Sequence, residues 1–196
     1  MIIGVVPSVQ EKYKNQFEYS CDINLLFFLE KVFKRSKVEL LTFNHKIEKK
    51  FKLIVISGAS GNDLICFDKS KKNLIRNKLD EKFFKQALKL KIPLVGICHG
   101  AQFIAKKYNS KLKVKNHVGK HYVKILKNNN RFLVNSFHNK VIFKLGKNLK
   151  ILGEAKDKTI ELFVHKNKKI CGIMWHPERS KKITNFDKIL FKSLCI

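Results

Sequence analysis

The sequence predicts an α/β fold: a doubly wound, mostly parallel sheet with flanking helices, followed by a β-rich, partly antiparallel second half. Three observations predict it. Up to Tyr108, short apolar runs alternate with segments of helical period, which is the pattern of consecutive βα units. One of these runs, Leu94 to Ile97, passes directly into Gly96-x-Cys98-x-Gly100 and a helical stretch, a sharp turn of the kind found at strand carboxyl ends in open α/β sheets. Beyond Tyr108 the helical period gives way to closely spaced strands separated by short polar turns.

In chain order, Ile2 to Val6 reads as the first strand and is followed by a polar loop. Asp22 or Ser20 caps a helix carrying Leu25, Leu26, Leu29, Val32 and Phe33, and Val38 to Phe43 forms the second strand. Leu53 to Ser57 is a short buried strand that ends in the glycine-containing loop Gly58-Ala-Ser-Gly-Asn-Asp63. Asp80 is positioned to cap a helix through Phe84, Leu88 and Leu90. In the second half, strands are expected at Tyr122 to Leu126, Arg131 to Asn135, Leu149 to Ala155, Thr159 to His165 and Lys169 to Trp175. A terminal helix, Ile183 to Leu194, closes the chain. With 196 residues, 44% of them hydrophobic, and no Pro/Gly/Ser-rich linker, residues 1–196 are expected to form one domain.

Composition restricts the function classes. The formal net charge is +27, which invites a nucleic-acid reading, but the lysines are scattered through every segment and only Arg35, Arg76, Arg131 and Arg179 are arginine. Such scatter describes a solvated surface rather than a groove-tracking stripe, so no nucleic-acid partner is expected; the positive field instead suits capture of a small anionic substrate. No apolar run reaches membrane-spanning length, and Met1 to Val6 lacks the basic lead of a signal peptide, so no membrane partner is expected. The five cysteines (Cys21, Cys66, Cys98, Cys171 and Cys195) form no Cys-x-x-Cys pair, which argues against disulfides or a zinc site and for a reducing cytoplasm.

The chemistry is concentrated in two stretches. At Gly96-x-Cys98-x-Gly100 the spacing is that of a nucleophile elbow with sulfur in place of oxygen, whose glycines let the backbone pass close to itself. Cys98 would sit at a helix N-terminus, facing unpaired N–H groups and the positive end of the macrodipole, an environment suited to thiolate chemistry. Met174-Trp-His-Pro-Glu-Arg179 supplies the partners. In an extended segment His176 and Glu178 leave the backbone on the same side, with Pro177 holding that conformation, so His176 can move protons while Glu178 orients it. The end of the Leu53 to Ser57 strand would place backbone N–H groups beside the elbow to face a developing oxyanion, the second donor being the N–H of His99. In this reading the His99 side chain can touch substrate.

Taken together, Pro93-Leu-Val-Gly-Ile-Cys98-x-Gly100-x-Gln102 and Trp175-His-Pro-Glu178 resemble the class I glutamine amidotransferases, as do Asn135-Ser-Phe-His-Asn139 and Asp157-Lys-Thr-Ile-Glu161. The resemblance covers nearly the whole chain and implies a flavodoxin-like fold with a cysteine-dependent attack on a γ-glutamyl amide. It implies that Gly58 or Gly61 supplies the first oxyanion donor, the loop carrying extra residues relative to the family's Gly-Gly. It also implies that Gln102, Asn135, Ser136, Phe137 and His138 line the substrate pocket. Cys98-His-Gly-Ala-Gln102 is similar to the free-standing γ-glutamyl hydrolases. Asn62-Asp-Leu64, Asn116-His-Val-Gly-Lys-His121 and His176-Pro-Glu-Arg-Ser180 resemble the γ-glutamyl-CDP-amidate hydrolases of surface-polysaccharide phosphoramidate pathways. The partner implied is a small γ-glutamyl compound, nucleotide-linked in the sharpest version, or else a separate synthase that receives ammonia. No cofactor and no metal is expected. With no cysteine or carboxylate at ligand spacing, His117, His121 and His138 read as substrate or structural contacts.

Overall fold

A computed structural model of the chain describes residues 1–59 and 70–195. Its elements in order are β1 (Ile2–Val6), β2 (Ser8–Tyr13), β3 (Gln16–Ser20), α1 (Ile23–Val32), β4 (Lys37–Leu40), β5 (Phe51–Ile56), α2 (Lys71–Leu90), β6 (Leu94–Ile97) and α3 (His99–Lys107). There follow β7 (Lys111–Val114), β8 (Gly119–Ile125), β9 (Arg131–Ser136), β10 (Lys140–Lys144), β11 (Leu149–Ala155), β12 (Ile160–His165), β13 (Ile170–Ile173), a 3-10 turn (Pro177–Arg179) and α4 (Asn185–Cys195). Among the described residues, no helix is long and apolar enough to cross a membrane.

The main sheet runs in the order β4-β1-β5-β6-β13-β12-β11-β8-β9, with β10 pairing both β12 and β7. From β4 to β13 every pairing is parallel, and from β13 onward every pairing is antiparallel. β13 therefore borders both halves. Its fully buried sequence Ile-Cys-Gly-Ile is what a strand covered on two faces requires. Two apolar clusters occupy the two faces. One packs α2 and α3 through Leu79, Phe83, Phe84 and Ile104 against Ile54 and Leu94, and the other packs α1 and α4 through Leu25, Phe28, Leu29 and Phe191 against Val55, Val95 and Ile173. Phe28 and Phe191 meet edge to face, with ring centroids 4.9 Å apart. This is the expected doubly wound arrangement.

Several elements differ from expectation, each for a local reason. The stretch after Val6 is a hairpin, β2 with β3, whose turn is made by Lys14 and Asn15, the latter at φ 64 in the left-handed region that asparagine tolerates. The second strand is shorter than Val38 to Phe43, ending at Leu40. Asp80 does not cap a helix. α2 starts well upstream of it, capped by Ser70, whose side chain accepts from the N–H of Asn73, and Asp80 lies inside the helix, fully buried. The first half of α2 buries Asn73, Arg76 and Asp80 where an apolar stripe would ordinarily lie, so its helical period was invisible as hydrophobicity. β7 and β10, lysine-rich and four and five residues long, were not expected as strands. Asp22, one of the two proposed caps, accepts from the N–H of Asn24 at the start of α1.

Candidate active site

The parallel register brings the ends of β5, β6 and β13 level. Ile56 pairs with Gly96, and Ile97 with Ile173. Gly58 lies two residues beyond the first of these strand ends, Cys98 one beyond the second and His176 three beyond the third, so three segments distant in sequence converge at one edge.

Cys98 occupies φ 47, ψ −100, a conformation that L-residues rarely adopt, and its side chain is buried. The strain is imposed by packing on both sides. Its N–H donates to the Ile173 carbonyl at 2.8 Å, and its carbonyl accepts from the Gln102 N–H at 3.0 Å to begin α3. A Cβ at Gly96 would lie 2.4 Å from the Gly100 carbonyl, and one at Gly100 would lie 2.1 Å from the Ile56 oxygen. Both glycines are thus demanded by backbone contact, as the elbow spacing predicted.

His176 is buried at the end of the β13 segment, with its Nδ1 2.6 Å from Glu178 Oε1. Burial on its own would disfavour the imidazolium. The negative charges of Glu178 and Cys98 and a hydrogen bond to each overcome that, and the pKa of His176 is pushed up to about 9. Gly58 packs against the same ring: a Cβ there would sit 2.5 Å from His176 Cε1. Of the two glycines considered for the oxyanion loop, Gly58 is therefore at the site, whereas Gly61 lies outside the described residues, as do Asn62 to Leu64 and Cys66.

The His99 side chain does not face substrate. It is buried with Nε2 3.0 Å from Asp80 Oδ2, while Arg76 Nε donates to both Asp80 oxygens at 2.8 and 2.9 Å and its Nη2 donates to the Ser57 carbonyl at 3.0 Å. This network spans from the residue after the nucleophile to the residue before Gly58. The backbone on both sides of the elbow is thereby tied to α2, and sequence reasoning missed it because Arg76 and Asp80 read as ordinary charges on a polar helix.

The residues assigned to the substrate pocket divide. Gln102 and Ser136 are buried; Gln102 Nε2 donates to the Lys140 carbonyl at 3.0 Å, and its Oε1, like Ser136 Oγ, has no hydrogen-bond partner among the described residues. Phe137 is half-exposed and meets the His176 ring edge to face at 5.5 Å, while the Arg179 guanidinium lies over the Phe137 ring at 5.1 Å. Asn135 is different. Its Nδ2 donates to the His176 carbonyl at 2.7 Å and to Ser180 Oγ at 3.3 Å, and its Oδ1 accepts from the His176 N–H at 2.9 Å. That amide is fully engaged in holding the histidine's backbone, so Asn135 is a positioning residue rather than a substrate ligand.

His138 lies deeper, beside Glu161, His117 and His121. The carboxylate that local spacing did not offer comes from β12. Burial alone would neutralise Glu161, but the His117, His121 and His138 imidazoles hold its carboxyl below the usual carboxylate range.

Comparison with known proteins agrees with this geometry. The model of the glutamine amidotransferase class-I family matches residues 23–195. Among curated proteins, the chain is 44% identical over 135 residues to the γ-glutamyl-CDP-amidate hydrolase of Campylobacter jejuni, covering 68% of this chain and 66% of that one. It is 33% identical over 119 residues to a glutamine-hydrolyzing GMP synthase subunit of Methanococcus vannielii, covering 56% and 61%. The chain thus spans just under two thirds of the length of these relatives. A glutamine amidotransferase from Thermotoga maritima shares the fold at a TM-score of 0.68 and 18% identity, over 90% of this chain and 76% of that one. With the family model matched over all but the first strands and the last residue, the chain belongs to the class-I glutamine amidotransferase family.

Proposed function

We propose that the protein is a cysteine-dependent hydrolase of a γ-glutamyl carbon–nitrogen bond. The observation that carries this reading is the convergence at one strand edge of a strained, buried Cys98 with a buried His176 whose Nδ1 lies 2.6 Å from Glu178 Oε1. In this mechanism the Cys98 thiolate attacks the γ-carbonyl, and the backbone N–H of His99 and one from the Gly58 segment stabilise the oxyanion, each donor contributing roughly 2.7–4 kcal/mol in comparable sites. Imidazolium His176 then protonates the departing nitrogen as the C–N bond breaks, leaving a glutamyl thioester. A water, deprotonated by the now neutral His176, cleaves the thioester to release glutamate and regenerate the thiolate. The unpartnered Gln102 Oε1 and Ser136 Oγ are acceptors suited to the α-ammonium of a glutamyl group.

For the leaving group we favour a nucleotide diphosphoramidate, making the reaction that of a γ-glutamyl-CDP-amidate hydrolase serving surface-polysaccharide phosphoramidate synthesis in the cytoplasm. Two observations support it: the 44% identity to a protein of that name, and a cavity of about 480 Å³ whose lining sets Lys124, Arg131, Lys156 and Lys158 against one carboxylate, Glu154, paired with Lys158. The similarity to a GMP synthase subunit supports the second reading, a glutaminase that passes ammonia to a separate synthase. The purified chain should be assayed alone for glutamate release from glutamine, from a γ-glutamyl amine and from γ-glutamyl-CDP-amidate. Rapid turnover of the nucleotide compound alone supports the first reading. Turnover of none of them until a synthase is added replaces it with the second.

A further inference from the structure

We propose that His117, His138 and Glu161, with His121 beside them, form a binding site for a divalent transition metal of the zinc type. One nitrogen from each of His117 and His138 and one oxygen of Glu161 lie within 4.8 Å of one another. His117 Nδ1 is 3.2 Å and His138 Nε2 3.8 Å from Glu161 Oε1, and His121 Nε2 is 3.5 Å from Glu161 Oε2. In a tetrahedral site with metal–ligand bonds of about 2.0–2.2 Å, neighbouring ligand atoms stand roughly 3.3–3.6 Å apart. The His117 and His138 contacts to Glu161 Oε1, at 3.2 and 3.8 Å, lie close to such an edge, and small side-chain rotations would bring the three ligand atoms around one ion.

The alternative is a purely internal histidine–carboxylate network, and the geometry disfavours it. Glu161 is fully buried and His138 nearly so, yet both Glu161 oxygens, both His138 nitrogens, His117 Nδ1 and His121 Nε2 make no well-formed hydrogen bond among the described residues. Buried polar atoms are seldom left so. The rings are also crowded, with centroids 4.3 Å apart for His117 and His121 and 5.2 Å for His117 and His138. Imidazolium rings this close would repel one another, and neutral rings aiming an N–H at Glu161 would stand 3.2–3.8 Å from it without good hydrogen-bond geometry. A cation at the centre would take a lone pair from each ligand instead. The remaining nitrogen of His117 stands 3.5 Å from Asp157 Oδ2, the carboxylate backing commonly found behind a metal-bound histidine. Imidazoles and a carboxylate suit Zn²⁺.

Three protein ligands from separate segments would hold the metal, with the fourth position filled by water or by His121 turned toward it. It would join the turn before β8, β8 itself, the segment after β9 and β12. His138 is adjacent to Phe137, whose ring lies against His176, so the metal would stiffen one wall of the reaction site without entering the chemistry.

The test uses the full chain carrying Cys98→Ser, which removes the one reactive-site thiol that could bind metal itself. After chelation and dialysis, Zn²⁺ binding is measured by calorimetry, and Co²⁺ binding by visible absorption. One equivalent should bind, Co²⁺ should show intense four-coordinate d–d bands without thiolate charge transfer, and Zn²⁺ should raise the melting temperature. At partly exposed positions, His117→Ala should weaken binding by more than the roughly 10–100-fold typical of losing a supporting group alone, and His121→Ala by about that factor. Glu161→Gln, which keeps the volume, should abolish the Co²⁺ bands while circular dichroism remains native. Absence of binding overturns the proposal. So does binding that survives both histidine substitutions in folded protein, since the metal would then sit elsewhere.

Discussion

The side-chain amide of Asn135 closes two hydrogen bonds on one residue, accepting from the N–H of His176 at 2.9 Å and donating to its carbonyl at 2.7 Å. Because Asn135 belongs to the last strand in the sheet order and His176 follows β13, the antiparallel half must curl back across the active end of the parallel half. Asn135→Ala should therefore reduce kcat much more than it raises KM. Each hydrogen bond contributes about 1 kcal/mol, so the melting temperature should fall by only a few degrees. Steady-state kinetics with a thermal melt checks this; a pure KM effect would return Asn135 to the substrate pocket.

Cys98→Ala and Cys98→Ser should abolish turnover and leave the fold intact. Cys98→Gly should also be inactive, yet more stable than the parent, because glycine removes backbone strain of order 1–3 kcal/mol at φ 47. Denaturant melts of the three variants decide the point, and an order with glycine least stable would mean that the elbow is unstrained.

With the pKa of His176 pushed up to about 9, the imidazolium that protonates the leaving nitrogen is the main form at neutral pH. Activity should fall as pH rises through about 9. Glu178→Gln removes a charge that favours the imidazolium, so its alkaline limb should move to lower pH. Its loss of activity at neutral pH should be smaller than that of His176→Ala. A pH–rate profile for each variant tests both statements.

Asp80 is fully buried between Arg76 and His99. Asp80→Ala should be strongly destabilising, by about 3–5 kcal/mol, since it leaves the Arg76 guanidinium buried without its partner. Asp80→Asn keeps the volume and should fold better. It should still lower kcat, because the backbone at Ser57 and His99 loses its tie to α2. Chemical denaturation and turnover of the two variants are the measurements.

If the leaving group is a nucleotide diphosphate, hydrolysis at low substrate should slow with added salt, since screening shortens the positive field, while a neutral γ-glutamyl amine should show little change. An equal salt response for both compounds would argue against the anionic leaving group.

The elbow at Cys98 and the His176–Glu178 pair were legible because each is a local pattern: the glycines flanking Cys98 are forced by contacts close around it, and His176 and Glu178 are separated by one proline. The sheet's parallel half was legible for a similar reason, its strands being continuous apolar runs. What escaped reading depended on residues brought together only by folding. Asp80 looked like a helix cap because its partners Arg76 and His99 lie on one face that is polar and nevertheless buried. Asn135 looked like a pocket residue because its real partner is a backbone on the far side of the sheet. The carboxylate among the histidines comes from Glu161, two strands away from His138 in sequence. β7 carries lysines at alternate positions, and β10 buries only Val141 and Ile142 between two lysines, too short a run to register.

The position of β9 at the end of the sheet order has a consequence for heat inactivation. A terminal strand lacks a neighbour on one side and opens at lower free energy than a central one. Asn135 thus fastens His176 to a strand with one unpaired edge, whereas Cys98 follows β6, which is paired on both sides by β5 and β13. On warming, the protein should lose its proton carrier before its nucleophile. Catalysis should fade at temperatures where the parallel strands still protect their amides from exchange, and alkylation of Cys98 should report an intact but idle elbow.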